Sequence, residues 1–182
     1  SLPISNLKCQ MSDFKCQVSN NAPPGSPNSP HSAGLYLKGF TSQRNELAPT
    51  MLPVTGAVPP WLEGTLVRNG PALFEVGNQS FRHWFDGLAM LHRFRFAPGT
   101  VEYANRFVCS RGYVAARDTG RIAYRDFATN PILTFFGRLA AKFRAPAFSH
   151  NTVVSIAHIA GTHVAMSETP EVIEFNLDTL EN

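Results

Sequence analysis

Six histidines are the residues of this chain best suited to chemistry. Neutral imidazole ligates first-row metals and titrates near neutral pH, so grouped histidines point to a metal centre or a proton-transfer group. His83 stands in HWFDG, His92 in LHRF, His150 in SHNT, and His158 and His163 flank a turn. None belongs to an H-E-x-x-H or Cys/His pattern. Taken singly, each reads as a structural or surface histidine. His158 and His163 are the best local pair, because a hairpin would bring them together, but two ligands without a neighbouring carboxylate make a poor site. No residue is assigned as a metal ligand. Nucleophilic catalysis has no better support: there is no G-x-S-x-G, and adjacency of Ser149 and His150 does not aim a base at a nucleophile. Phosphate loops and dinucleotide fingerprints are absent.

The elements that must position these residues are strands. The chain has 182 residues, 43% hydrophobic and 16% charged, with 14 Phe. That composition suits one globular domain with apolar surface to bury or to present to something greasy. A net charge of +3 without a Lys/Arg block excludes a nucleic-acid groove. No apolar run is long enough to cross a bilayer. Cys9, Cys16 and Cys109 are an odd set, and the wide gap between the first two does not suit structural zinc, so free thiols are expected. There is no initiator Met, and the sequence is expected to be incomplete at the front.

Residues 1–46 read as a flexible N-terminal arm, with SNNAPPGSPNSPHSAG rich in Ser, Asn, Pro and Gly and nothing periodic. Residues 47–182 read as the folded domain. APTMLPVTGAVPPWLEG is an extended, Pro-studded approach with Trp61 and Leu62 as first core anchors. A strand over Gly64–Asn69 is expected to stop at Gly70-Pro71, a second to cover Ser80–Phe85, and Asp86-Gly87 to turn with Gly at positive φ. In Leu88–Phe96, period two puts Met90, His92, Phe94 and Phe96 on one face and Arg93 and Arg95 on the other. Pro98-Gly99 turns the chain into Val101–Val108, completing a hairpin. Further strands are expected at Ile122–Phe127, Asn151–Ile159, His163–Ser167 and Val172–Phe175, with a turn near Asp178. Short strands at regular spacing make an all-β meander.

One segment breaks the pattern. Asn130–Arg144 has helical spacing, with Ile132, Phe135, Phe136, Leu139 and Phe143 on one face and Arg138, Lys142 and Arg144 flanking it. Such an arc either packs on the core or lies in a membrane interface with its cations at headgroup height.

Four motifs in order resemble the carotenoid cleavage oxygenases, over roughly two-thirds of the chain from about Pro59 onward. They are Trp61–Thr65 with Arg68–Pro71, His83–Gly87 with Leu91, His92 and Phe94, Val101–Ser110, and Ser167–Thr169 with Asp178–Glu181. The resemblance implies the N-terminal blades of a seven-bladed β-propeller with one amphipathic helix insertion. It implies a non-haem Fe(II) dioxygenase that uses O2 to cleave a conjugated double bond of a carotenoid or apocarotenoid, with iron on four histidines of the complete protein. The chain halts before the first of these, so the fragment alone is expected to hold no iron and to be inactive. Glu168 matches a glutamate that accepts the ring N–H of a ligating histidine. Phe127 and Ser167 match positions lining the substrate tunnel. Thr169-Pro170 stands where the family commonly has Thr-Asn. The helix matches a membrane-dipping patch, which implies a cytoplasmic protein held peripherally on a membrane, with a plastid as the alternative compartment. The competing reading is a truncated, non-catalytic lipid-binding module or an inactive fragment.

Overall fold

The computed structural model describes residues 39–125, 127–129, 150–168 and 170–182. Strands β1 (Leu47–Met51), β2 (Gly64–Leu73), β5 (Leu88–Ala97) and β6 (Thr100–Phe107) form an antiparallel sheet in the order β1-β6-β5-β2. The short strands β3 (Glu75–Val76) and β4 (Gln79–Ser80) pair with each other, and a 3-10 turn at Trp84–Asp86 leads into β5. Helix α1 (Arg111–Thr119) follows β6, and β7 (Ser155–Ile159), β8 (Thr162–Met166) and β9 (Val172–Phe175) form a second antiparallel sheet.

The β5–β6 hairpin forms as its pattern predicts, with Ala97 opposite Thr100 and Met90 opposite Phe107. Gly99 takes φ 72° in the connecting turn, a conformation that disfavours side chains. The start of β5 is an unbroken apolar run because both of its faces are covered. Leu88 and Met90 join a cluster with Leu73, Phe81, Phe107 and Tyr113. Ala89 and Leu91 join a second one with Ala104, Val108, Ala165 and Phe175 from the other sheet.

Several expectations are corrected. Strand β2 does not stop at Gly70-Pro71 but runs to Leu73, with Pro71 opposite Ala89 and the register shifting beyond it. A proline without an N–H is tolerated there because β2 is a sheet edge. Ser80–Phe85 is not a strand: only Gln79–Ser80 pairs, and the 3-10 turn takes the end. Among the described residues of Ile122–Phe127 there is no strand, only an isolated bridge residue at Arg125. Trp61 is 79% exposed and anchors no core. Arg93 lies on the face opposite His92 and Phe94, as its period predicts, and is 2% exposed because the Asp178 turn covers that face. Helix α1 was not anticipated. It starts at Ser110, whose hydroxyl accepts from the Tyr113 N–H at 3.1 Å, and ends at Gly120 in the left-handed region.

Residues 42–46, read as arm in the sequence, are bonded to this body. The Gln43 N–H donates to the Ala72 carbonyl at 2.8 Å, Arg44 pairs with Glu75 at 2.8 Å, and Glu46 accepts the Phe107 N–H at 2.9 Å.

Candidate functional site

The 3-10 turn and the segment that crosses it bring three rings together. His83 caps the turn, its Nδ1 accepting the Phe85 N–H at 3.3 Å. Asp86 is fully buried, and its carboxylate accepts from the Ala128 N–H at 3.1 Å and the Thr129 hydroxyl at 2.6 Å. Thr129 Oγ1 in turn accepts the Arg82 N–H at 2.8 Å. These bonds pin residues 127–129 across the turn and set Phe127 over His83, with centroids 4.8 Å apart, while His83 and Phe85 are 5.5 Å apart. Phe127 is 76% exposed, so this cluster presents an open aromatic surface.

The turn is fixed from below by Asn151. Its Nδ2 donates to the Gly87 carbonyl at 2.7 Å, and its Oδ1 accepts the Ala89 N–H at 3.0 Å. Gly87 has φ −59°, so the expected positive φ is corrected. Glycine is needed there for space: a Cβ would lie 2.8 Å from the Phe74 ring and 2.9 Å from Pro71. Asn151 and Thr129 escaped the sequence reading because an isolated polar residue carries no periodicity. The usable signal was their position beside apolar runs, where a buried polar group must find a partner.

Other histidines sit in defined settings. His92 Nδ1 lies 2.8 Å from the Tyr103 hydroxyl. Burial, then the Arg68 guanidinium, lowers the His92 pKa, and burial raises that of Tyr103. His150 stands between Glu171, 2.6 Å from its Nδ1, and Arg111, 3.1 Å from its Nε2. Burial pushes the imidazole below its ordinary value, Glu171 pulls it up and Arg111 lowers it again, with a net lowering. His158 and His163 meet as the hairpin suggested, their rings stacked 4.5 Å apart.

Glu168 follows β8 as an exposed carboxylate, and Ser167 beside it is half-buried. Among the described residues no group of three or more His, Cys, Asp or Glu is placed to hold a metal ion. The described residues do not by themselves make up the four-histidine iron centre that the resemblance implies. Ile132, Phe135, Phe136, Leu139 and Phe143 lie outside the described residues. Among those described, no helix is long and apolar enough to cross a membrane.

The model of the retinal pigment epithelial membrane protein (RPE65) family matches residues 40–182. The beta,beta-carotene 15,15'-dioxygenase of Mus musculus is 34% identical over 146 residues, covering 77% of this chain and 26% of that protein. The mitochondrial carotenoid-cleaving dioxygenase of Pongo abelii is 38% identical over 136 residues, covering 70% of this chain and 24% of that protein. A solved tryptophan variant of the Synechocystis apocarotenoid oxygenase aligns with TM-score 0.71 and 31% identity, covering 80% of this chain and 30% of that one. Its cobalt-substituted form aligns with TM-score 0.71 and 29% identity. The chain spans about a quarter of the length of the curated relatives it matches. The fold is therefore the expected all-β N-terminal portion, without ring closure among the described residues.

Proposed function

Since this chain belongs to the carotenoid oxygenase family named for the retinal pigment epithelial membrane protein, we propose that it is the N-terminal part of a non-haem Fe(II)-dependent dioxygenase. The reaction is cleavage of one conjugated double bond of a carotenoid or apocarotenoid by O2, giving two carbonyl products. The observation that carries this reading is the structural match to an apocarotenoid oxygenase at TM-score 0.71 and 31% identity. In this reading the iron is held by histidines outside the chain, and the fragment alone has no activity.

The chain's own contribution is to the walls of the site. The open ring of Phe127 beside His83 is a surface that a flat, apolar polyene would cover, excluding water from both. Ser167, half-buried after β8, supplies a small hydroxyl to the substrate tunnel in this reading. The exposed Glu168 carboxylate is free, among the described residues, to accept the ring N–H of a histidine from the rest of the protein. The protein works in the cytoplasm or a plastid, resting on a membrane through Ile132, Phe135, Phe136, Leu139 and Phe143, so that its apolar substrate enters from lipid.

The test uses the full-length protein, loaded with Fe(II) and given an apocarotenoid, with products separated by chromatography. Two shorter carbonyl products are expected. Glu168→Gln is expected to lower turnover roughly 10- to 100-fold. A metal-loaded protein that leaves every polyene intact would count against the proposal.

A second reading, a lipid-binding module without catalysis, draws on the exposed Phe85 and Phe127. Liposome flotation of the 182-residue chain, compared with its Phe135→Asp/Phe136→Asp variant, tests it. Unchanged flotation of the variant would remove Phe135 and Phe136 from any membrane role.

A further inference from the structure

The hairpin of β7 and β8 sets His158 directly opposite His163. Its two-residue turn holds Ala160 at φ 49° and Gly161 at φ 86°. Positive φ at both central positions matches the twist of the flanking strands, so the register is fixed by the turn itself. The two imidazoles stack with centroids 4.5 Å apart and 17° between planes. Phe175, buried on the next strand, lies 5.9 Å from the His163 ring and backs it. His158 is exposed, which leaves the other side of the pair open to solvent.

We propose that His158 and His163 form a bidentate site for a divalent transition cation, with Cu2+ the preferred ion. Two imidazole nitrogens in adjacent positions on one ion each sit about 2.0–2.1 Å from it, which puts them about 3 Å apart. Directly opposed strand residues have Cβ atoms roughly 4.5–5.5 Å apart. Rings already stacked over that gap reach the chelating geometry by rotating about their side-chain bonds, with the backbone unmoved. No third His, Cys, Asp or Glu completes the group among the described residues, so water fills the remaining positions. With two neutral nitrogen donors the Irving–Williams order sets the choice: Cu2+ binds best, Ni2+ and Zn2+ less well, and Fe2+ and Mn2+ weakly. The site requires neither iron nor a polyene, and it stands or falls apart from the proposed oxygenase function.

The experiment is a Cu2+ titration of the full 182-residue chain, its cysteines first alkylated so that no thiol binds or reduces the metal, near pH 7.5, followed by calorimetry and by electron paramagnetic resonance. At half an equivalent of Cu2+ the spectrum of the unmodified chain is expected to show two coupled nitrogens; a single-nitrogen spectrum would overturn the proposal without any variant. His158→Asn and His163→Asn are each expected to weaken the tightest site roughly tenfold or more, because the second donor no longer arrives at high effective concentration. The double substitution Ala157→His/His158→Ala keeps six imidazoles but moves one to the opposite face of β7, and it is expected to weaken binding as much as the single variants. If these variants bind Cu2+ within about threefold of the parent, the affinity belongs to scattered histidines and the clip does not exist.

Discussion

Asn151 grips Gly87: the amide Nδ2 donates to the glycine carbonyl at 2.7 Å in a buried setting. Its Oδ1 simultaneously accepts the Ala89 N–H at 3.0 Å, so one side chain holds the backbone on both sides of Leu88, where the 3-10 turn enters β5. Asn151→Ala leaves a buried carbonyl and a buried N–H without partners. Each such loss costs about 1–3 kcal/mol, so a destabilisation of roughly 2–6 kcal/mol is expected in urea unfolding. A change within about 0.5 kcal/mol would mean that water replaces the amide.

Gly87 is confined by contact and Gly99 by torsion. Gly87→Ala drives a methyl against Phe74 and Pro71, where overpacking is expected to remove about 1–3 kcal/mol. Gly99→Ala meets nothing within 4 Å but must hold φ 72°, for roughly 1–2 kcal/mol. The two are separable by a compensating change: Phe74→Leu is expected to recover part of the Gly87→Ala loss and none of the Gly99→Ala loss. Equal recovery in both would contradict the steric account.

Lowering pH should weaken the fold before carboxylates titrate. His92 and His150 both have lowered pKa values in the folded chain, chiefly through burial. The unfolded chain takes up these protons near the ordinary histidine value of about 6.5, whereas the folded chain resists them. The unfolded state therefore binds more protons as pH falls, and stability present above that value is lost as pH drops through the lowered folded values. Urea midpoints are expected to fall between pH 7.5 and 5.5, with a shallower slope in His150→Gln. An identical slope in that variant would remove His150 from the account.

What the sequence could show depended on whether a residue's partner is near or far along the chain. The β5–β6 hairpin was legible because Pro98-Gly99 and the flanking alternation are local, and so was the β7–β8 turn at Gly161. The burial of Arg93 is not legible in the sequence, because alternation tells which residues share a face and not which face is covered. The Asp178 turn that covers it lies 85 residues away. Its guanidinium is retained there by Glu102 at 2.8 Å and by the Asp178 carbonyl. Helix α1 carried cap signals at Ser110 and Gly120, but only Tyr113 and Ala116 among its bulkier positions are buried, too few to raise a helical period. The sequence reads Asp86 as a turn-former, but its carboxylate bonds outside the turn. Its bonds to Ala128 and Thr129, which place Phe127, cross more than forty residues that no short pattern links.

As proposed, these strands are the leading part of an enzyme that splits a polyene with O2. Incubation of the full-length Fe(II)-loaded protein with an apocarotenoid under 18O2, with mass analysis of both products, tests it most directly. Two carbonyl products are expected, with labelled oxygen in both when they are trapped before exchange with water, and none from the 182-residue chain alone. Recovery of the unbroken polyene from the full-length protein, or cleavage by the 182-residue chain by itself, would contradict the account.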